Sequence, residues 1–102
     1  MMRMPPIHPG EVLREELLRP YRLSLPQLAR AIGVSPSRLR GLTAGRTPVT
    51  AELALRLGRY FGLSPAFWLN LQQHYDLSMA ADAMQERIDR EVIPFVSGLP
   101  GW

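Results

Sequence analysis

Four helix-capping side chains, each standing just before an apolar repeat, limit the fold of this chain more than any other feature. Ser24, Ser35, Thr50 and Ser64 are of the types whose side-chain oxygen accepts from the free N–H groups of a first helical turn. Pro36 and Pro65 follow two of them at the first helical position, where a missing N–H costs nothing. Gly33, Gly45 and Gly62 stand at the far ends, where a left-handed residue closes a helix. Between these marks run Leu25, Leu28, Ala29 and Ile32, then Leu39 and Leu42, then Leu53, Ala54, Leu57 and Phe61. Such spacings place apolar residues on one helical face.

The same reading predicts an earlier helix from about residue 9 to 18. Leu13 and Leu17 share its inner face, Glu11, Glu15 and Glu16 favour its N-terminal half, and Pro20 stops it. A fifth helix is expected from 65 to about 75. A separate, charged sixth is expected over 78–92, with a narrow stripe of Ala80, Ala81, Met84 and Ile88 and a stop at Pro94. Alternating β-branched runs are absent, so the expected class is all-α.

A length of 102 residues suits one domain with one core. The lack of cysteine removes disulfides, thiolate metal sites and thiol nucleophiles. His8 and His74, the two histidines, are too few for a zinc centre without carboxylate help. Glu15 and Glu16 are adjacent and point about 100° apart on a helix, so they frame no substrate. His74 and Asp76 have no helical geometry for a catalytic pair. Neither a phosphate-cradling glycine loop nor a HExxH helix occurs. The expectations are therefore no enzyme activity, no cofactor, no metal and no small-molecule substrate. No apolar run reaches the ~18 residues of a membrane span and no signal-peptide pattern leads the chain, which points to a cytoplasmic protein with no membrane partner.

Charge is unevenly spread. Residues 19–59 hold eight arginines and one acid, Glu52, whereas residues 61–102 hold two arginines and five acids. One surface thus suits a polyanion. Two short helices joined by a glycine turn form the sequence pattern of a helix-turn-helix, here 24–45. Ala29 lies where the helices approach, Gly33 turns, Val34 plugs the angle, and Leu39 and Leu42 anchor the second helix. With those two leucines inward, Ser37 and Ala44 point most directly outward at 100° per residue, followed by Arg40 and Gly41, with Arg38 and Thr43 on the flanks. A recognition helix reads base edges in the major groove of double-stranded DNA from such a face. Arg40 is its one long donor fork, suited to a guanine. Arg46, just past the helix, and Gln27, near the start of the preceding one, are placed for phosphates. Arg38 is open to a phosphate or an intramolecular partner. Arg56 and Arg59 read as a solvated face. With Ser35 at the cap, the candidate DNA-contacting set is Gln27, Ser35, Ser37, Arg38, Arg40, Gly41, Thr43, Ala44 and Arg46.

The fifth helix is apolar beyond a single stripe, through Ala66, Phe67, Trp68, Leu69, Leu71 and Tyr75. Its second face needs a partner. Either the sixth helix packs back on it, or the same surface of another subunit does. The second choice makes Phe67, Trp68, Leu71 and Tyr75 a homodimer interface.

Residues 8–77, through HPGEVLREELL, LARAIGVSPSRLRGLTAGR and TAELALRLGRYFGLSPAFWLNLQQHYDL, resemble the HigA-type (VapI-like) antitoxins within the Xre/Cro-like helix-turn-helix regulators. The resemblance implies a five-helix, lambda-repressor-like DNA-binding domain, placed over 1–77; the residue pattern itself adds a C-terminal helix over 78–93 and, through Gly98, Pro100 and Gly101, a flexible tail over 94–102. It implies a homodimer on a palindromic operator that autorepresses a toxin–antitoxin operon. It also implies a partner, a HigB-type mRNA-cleaving toxin that the antitoxin holds inactive. This chain departs from the family at Ala44, where asparagine is frequent, and at Gly41, where a longer polar side chain is usual. The alternatives are a stand-alone Xre-type repressor without a toxin, and a toxin-binding module with little DNA binding.

Overall fold

A computed structural model describes residues 6–96. Helix α1, Pro9–Val12, runs directly into a π-helical segment, Leu13–Leu18. Then follow α2 (Leu25–Ile32), α3 (Pro36–Thr43), α4 (Ala51–Phe61) and α5 (Pro65–Glu91), with no strand among the described residues. All four expected caps form. Ser24 Oγ accepts from the Gln27 N–H at 3.2 Å, and Gln27 Oε1 accepts from the Ser24 N–H at 2.9 Å, a complete capping box. The Ser35, Thr50 and Ser64 hydroxyl oxygens accept from Arg38, Leu53 and Ala66 N–H groups at 3.1, 3.2 and 3.2 Å. Gly33 sits at φ 75°, a left-handed exit from α2 that costs glycine nothing.

The stripes meet in one core, where Leu13, Leu28, Leu39, Leu42, Leu53, Leu57 and Trp68 are fully buried. Each contributes roughly 1.5–3 kcal/mol by leaving water. Gly10 permits the tightest approach: a Cβ there would lie 1.8 Å from the Leu42 carbonyl oxygen, so α1 rests backbone to backbone on the end of α3. His8 caps α1, its Nδ1 accepting from the Gly10 N–H at 2.9 Å.

Two expectations change. The separate sixth helix does not exist, because α5 continues without a break for 27 residues. Neither glycine nor proline interrupts residues 76–79, and serine costs a helix interior only a few tenths of a kcal/mol, so Ser78 is an interior residue rather than a cap. Trp68, expected at a subunit interface, is 0% exposed and is part of the chain's own core. Only Trp68 and Gln72 of α5 are buried. The distal half projects as a rod, which stretches the molecule to 55 Å against 28 and 23 Å. Of the expected tail, Pro94–Val96 are exposed and non-helical, and residues 97–102 lie outside the described residues.

Candidate nucleic-acid interface

α2 and α3 meet as the pattern requires. Ala29 is buried at their crossing, Val34 packs on the core, and Leu39 and Leu42 hold α3 down. Ser35, Ser37, Arg40 and Ala44 form the exposed side of α3, with Arg46 just beyond and Gln27 on α2. The capping box holds the Gln27 carbonyl oxygen inward on Ser24, which leaves its amide NH2 as the outward group. Ser35 accepts from its own helix and keeps its hydroxyl proton to donate. The Arg40 and Arg46 side chains have no hydrogen bond or ion pair among the described residues.

Three of the candidates sit differently. Gly41, expected outward, is buried; a Cβ there would stand 3.2 Å from the Thr47 side chain. The turn after α3 folds back over that flank, and both the Arg46 and Thr47 N–H groups donate to the Gly41 carbonyl, at 2.9 and 3.3 Å. Thr43 is also buried, its hydroxyl donating to the Leu39 carbonyl at 3.1 Å. Arg38 is committed within the chain, to Thr50 Oγ1 at 3.2 Å and Glu52 Oε1 at 3.5 Å.

Glu52 therefore does more than offset charge. It also holds Arg56, whose Nε donates to Oε2 at 3.0 Å and whose NH1 donates to the Ile32 carbonyl at 2.9 Å, closing the end of α2. Arg56 stays exposed, as expected, but is tied into the chain at both ends of its guanidinium. The hydrogen bond and charge of Arg56, with Arg38 behind them, lower the Glu52 carboxyl below its ordinary pKa. One acid on α4 thus engages Arg38 of α3 and Arg56, which itself reaches the end of α2, while neither Arg40 nor Arg46 pairs with it.

Sequence reading missed two further supports. Arg14 donates to the Thr43 carbonyl at 2.7 Å and closes the end of α3. Gln72 is 8% exposed and accepts from the Val49 N–H at 2.8 Å. The available signal was a lone amide on the face that carries Trp68 and Tyr75. His8 stands beside Tyr75, ring centroids 4.8 Å apart, and its pKa is lowered by burial against the opposing pull of Asp76 and a backbone hydrogen bond with Thr47.

A family model described as a helix-turn-helix domain matches residues 11–67. The chain is 52% identical to virulence-associated protein I of Dichelobacter nodosus, over 80% of this chain and 76% of the relative. It is 36% identical to antitoxin HigA-1 of Vibrio cholerae, over 79% and 76%. The chain belongs to the HigA antitoxin family. Two solved HigA structures agree in fold. One is an addiction-module antidote protein of the HigA family from Coxiella burnetii, with TM-score 0.86, 43% identity, and coverage of 90% of this chain and 100% of that one. The other is Pseudomonas aeruginosa antitoxin HigA with the higBA promoter, with TM-score 0.87, 42% identity, and coverage of 89% and 99%.

In this HigA-family chain the expected interface residues separate. Phe67 is 39% exposed, whereas Leu71 and Tyr75 are half-buried against their own chain. The more exposed apolar surface lies further along α5, at Leu77 (66%), Met79, Met84 and Ile88. Leu69, Gln72, Gln73, Asp76, Leu77 and Ala80 line an open groove of about 610 Å³ beside it.

Proposed function

We propose that this chain is an operator-binding antitoxin that represses its own toxin–antitoxin operon and holds a HigB-type mRNA-cleaving toxin inactive. The observation that carries the DNA-binding part is Arg40, exposed and unpaired between the small side chains of Ser37 and Ala44 on a helix anchored by Leu39 and Leu42. A guanidinium on such a face suits bidentate contact with a guanine, worth ~1–3 kcal/mol of discrimination. Small neighbours let the α3 backbone approach the groove. Gln27, Ser35 and Arg46 flank it as phosphate contacts. Gly41, Thr43 and Arg38 support this surface from behind. The P. aeruginosa relative bound to its promoter supports the reading.

The toxin-neutralising part is inferred from the family, as are the cytoplasmic location and the homodimer on a palindrome. Residues 1–77 supply the DNA-binding unit in this reading. The exposed row Leu77, Ala80, Met84 and Ile88 recurs every three or four residues on α5 and suits pairing with the same helix of a second copy. That moves the dimer surface from the set around Trp68 toward the distal helix.

The reading is tested by titrating the protein against duplex from its own upstream region and against a scrambled duplex, at two salt concentrations. Binding to the native duplex at least ~10³ tighter than to the scrambled one, weakening with salt, is expected. Equal, weak binding to both would remove the repressor role and leave toxin binding as the function. Copurification with the toxin encoded beside it is expected in either case.

A further inference from the structure

Resting on the DNA-binding reading, we propose that Gln72 of α5 is a positioning residue for DNA: its side-chain carbonyl fixes the turn 44–49 so that Arg46 meets a phosphate. The turn leaves α3 through Gly45 at φ 75°. Its first part is tied to α3 by the two N–H groups on the Gly41 carbonyl. Its last part cannot reach that carbonyl, and the Val49 N–H there is held by Gln72 Oε1 at 2.8 Å instead. The amide is oriented from its other end, where Nε2 donates to Asp76 Oδ1 at 2.9 Å. This pair of bonds settles which way the amide faces. Beneath the turn, the His8 ring lies against Gly45, 3.8 Å from where a Cβ would stand.

Gln72 occupies a core-facing place beside Trp68 and Leu71, where an apolar side chain would bury at lower desolvation cost. The amide instead supplies an acceptor to a backbone donor 23 residues away. Arg46 itself has no intramolecular partner among the described residues. Its approach to DNA therefore starts from the turn it stands on, and a turn left loose must be ordered at the moment of binding, which weakens the phosphate contact.

The test is Gln72→Met, which keeps length and burial but removes the acceptor. Operator affinity is expected to fall about tenfold. The slope of log affinity against log salt becomes shallower by about 0.9 for each protomer's lost phosphate contact. In an Arg46→Ala background the same change adds no further loss. Gln72→Glu combined with Asp76→Asn reverses the donor between the two side chains, keeps an acceptor at Val49, and restores the slope. A Gln72→Met loss at unchanged slope, or one that adds in full to Arg46→Ala, overturns the proposal and leaves Gln72 a packing residue. Should Gln72→Met not fold, His8→Asn loosens the turn from its other side while asparagine still caps Gly10; an unchanged slope there overturns the proposal equally. A wild-type protein that does not prefer its operator overturns the functional reading first, and this inference with it.

Discussion

The two halves of α5 are one helix in two environments. The proximal half buries Trp68 among the leucines of four other segments and ties Gln72 to the turn after α3. The distal half has no buried residue, and pairs within the helix help to stabilise it, such as Gln85 to Asp89 at 2.8 Å and the Arg87–Glu91 ion pair. Pairs of this i, i+4 kind contribute only ~0.2–0.5 kcal/mol each. Local propensity thus suffices to continue a helix that tertiary packing has nucleated. It gives no outlet to the apolar row Leu77, Ala80, Met84 and Ile88, which stays exposed among the described residues and is the surface proposed for a second copy.

That contrast can be broken at its strong end first. Trp68→Ala should cost the core about 3–5 kcal/mol, read as a lower midpoint in urea unfolding. Ile88→Glu should leave far-UV helicity and the near-UV signal of Trp68 unchanged while weakening self-association at least about tenfold in sedimentation equilibrium. A dimer that survives this substitution would put the interface elsewhere on the molecule.

The smallest effect is acid sensitivity at His8, on the packed side. Its folded pKa is lowered, so the neutral ring that caps Gly10 favours the fold. That contribution is complete above the ordinary histidine value of about 6.5 and declines as pH falls below it. Thermal midpoints measured from pH 7.5 down to 5.5 should fall, and less steeply in His8→Asn. Equal slopes would remove His8 from the account. Glu52 adds a second loss at lower pH, where its lowered carboxyl finally protonates.

The parts of the fold legible in the sequence are those set within a few residues. A cap acts over two or three positions, so Ser24, Ser35, Thr50 and Ser64 marked their helices correctly. The leucine stripes of α2, α3 and α4 announced their faces by spacing alone, whereas the π-helical turn after α1 buries Leu18 with Leu13 and leaves the expected Leu17 half-buried. Interactions across 12 to 24 residues left no such trace: Arg38 to Thr50, Val49 to Gln72, Arg56 to Ile32. Those contacts decide which arginines remain free. Helical angle placed Ser37, Arg40 and Ala44 outward, as found, yet misplaced Gly41, because the turn that covers it is not part of the helix. The junction at 76–79 gives no clear sign of continuity in the sequence, because serine suits a helix cap and yet costs only about a few tenths of a kcal/mol within a helix.

Central to the account is the assignment of base reading to Arg40, and it is tested most directly by comparing Arg40→Ala with Arg59→Ala on native and scrambled duplexes at one salt concentration. Arg40→Ala is predicted to reduce the preference for the native duplex by about tenfold or more. Arg59→Ala, an equal change of charge on α4, should leave that preference intact. A preference unchanged by Arg40→Ala, or lowered equally by both, would contradict the recognition role of α3.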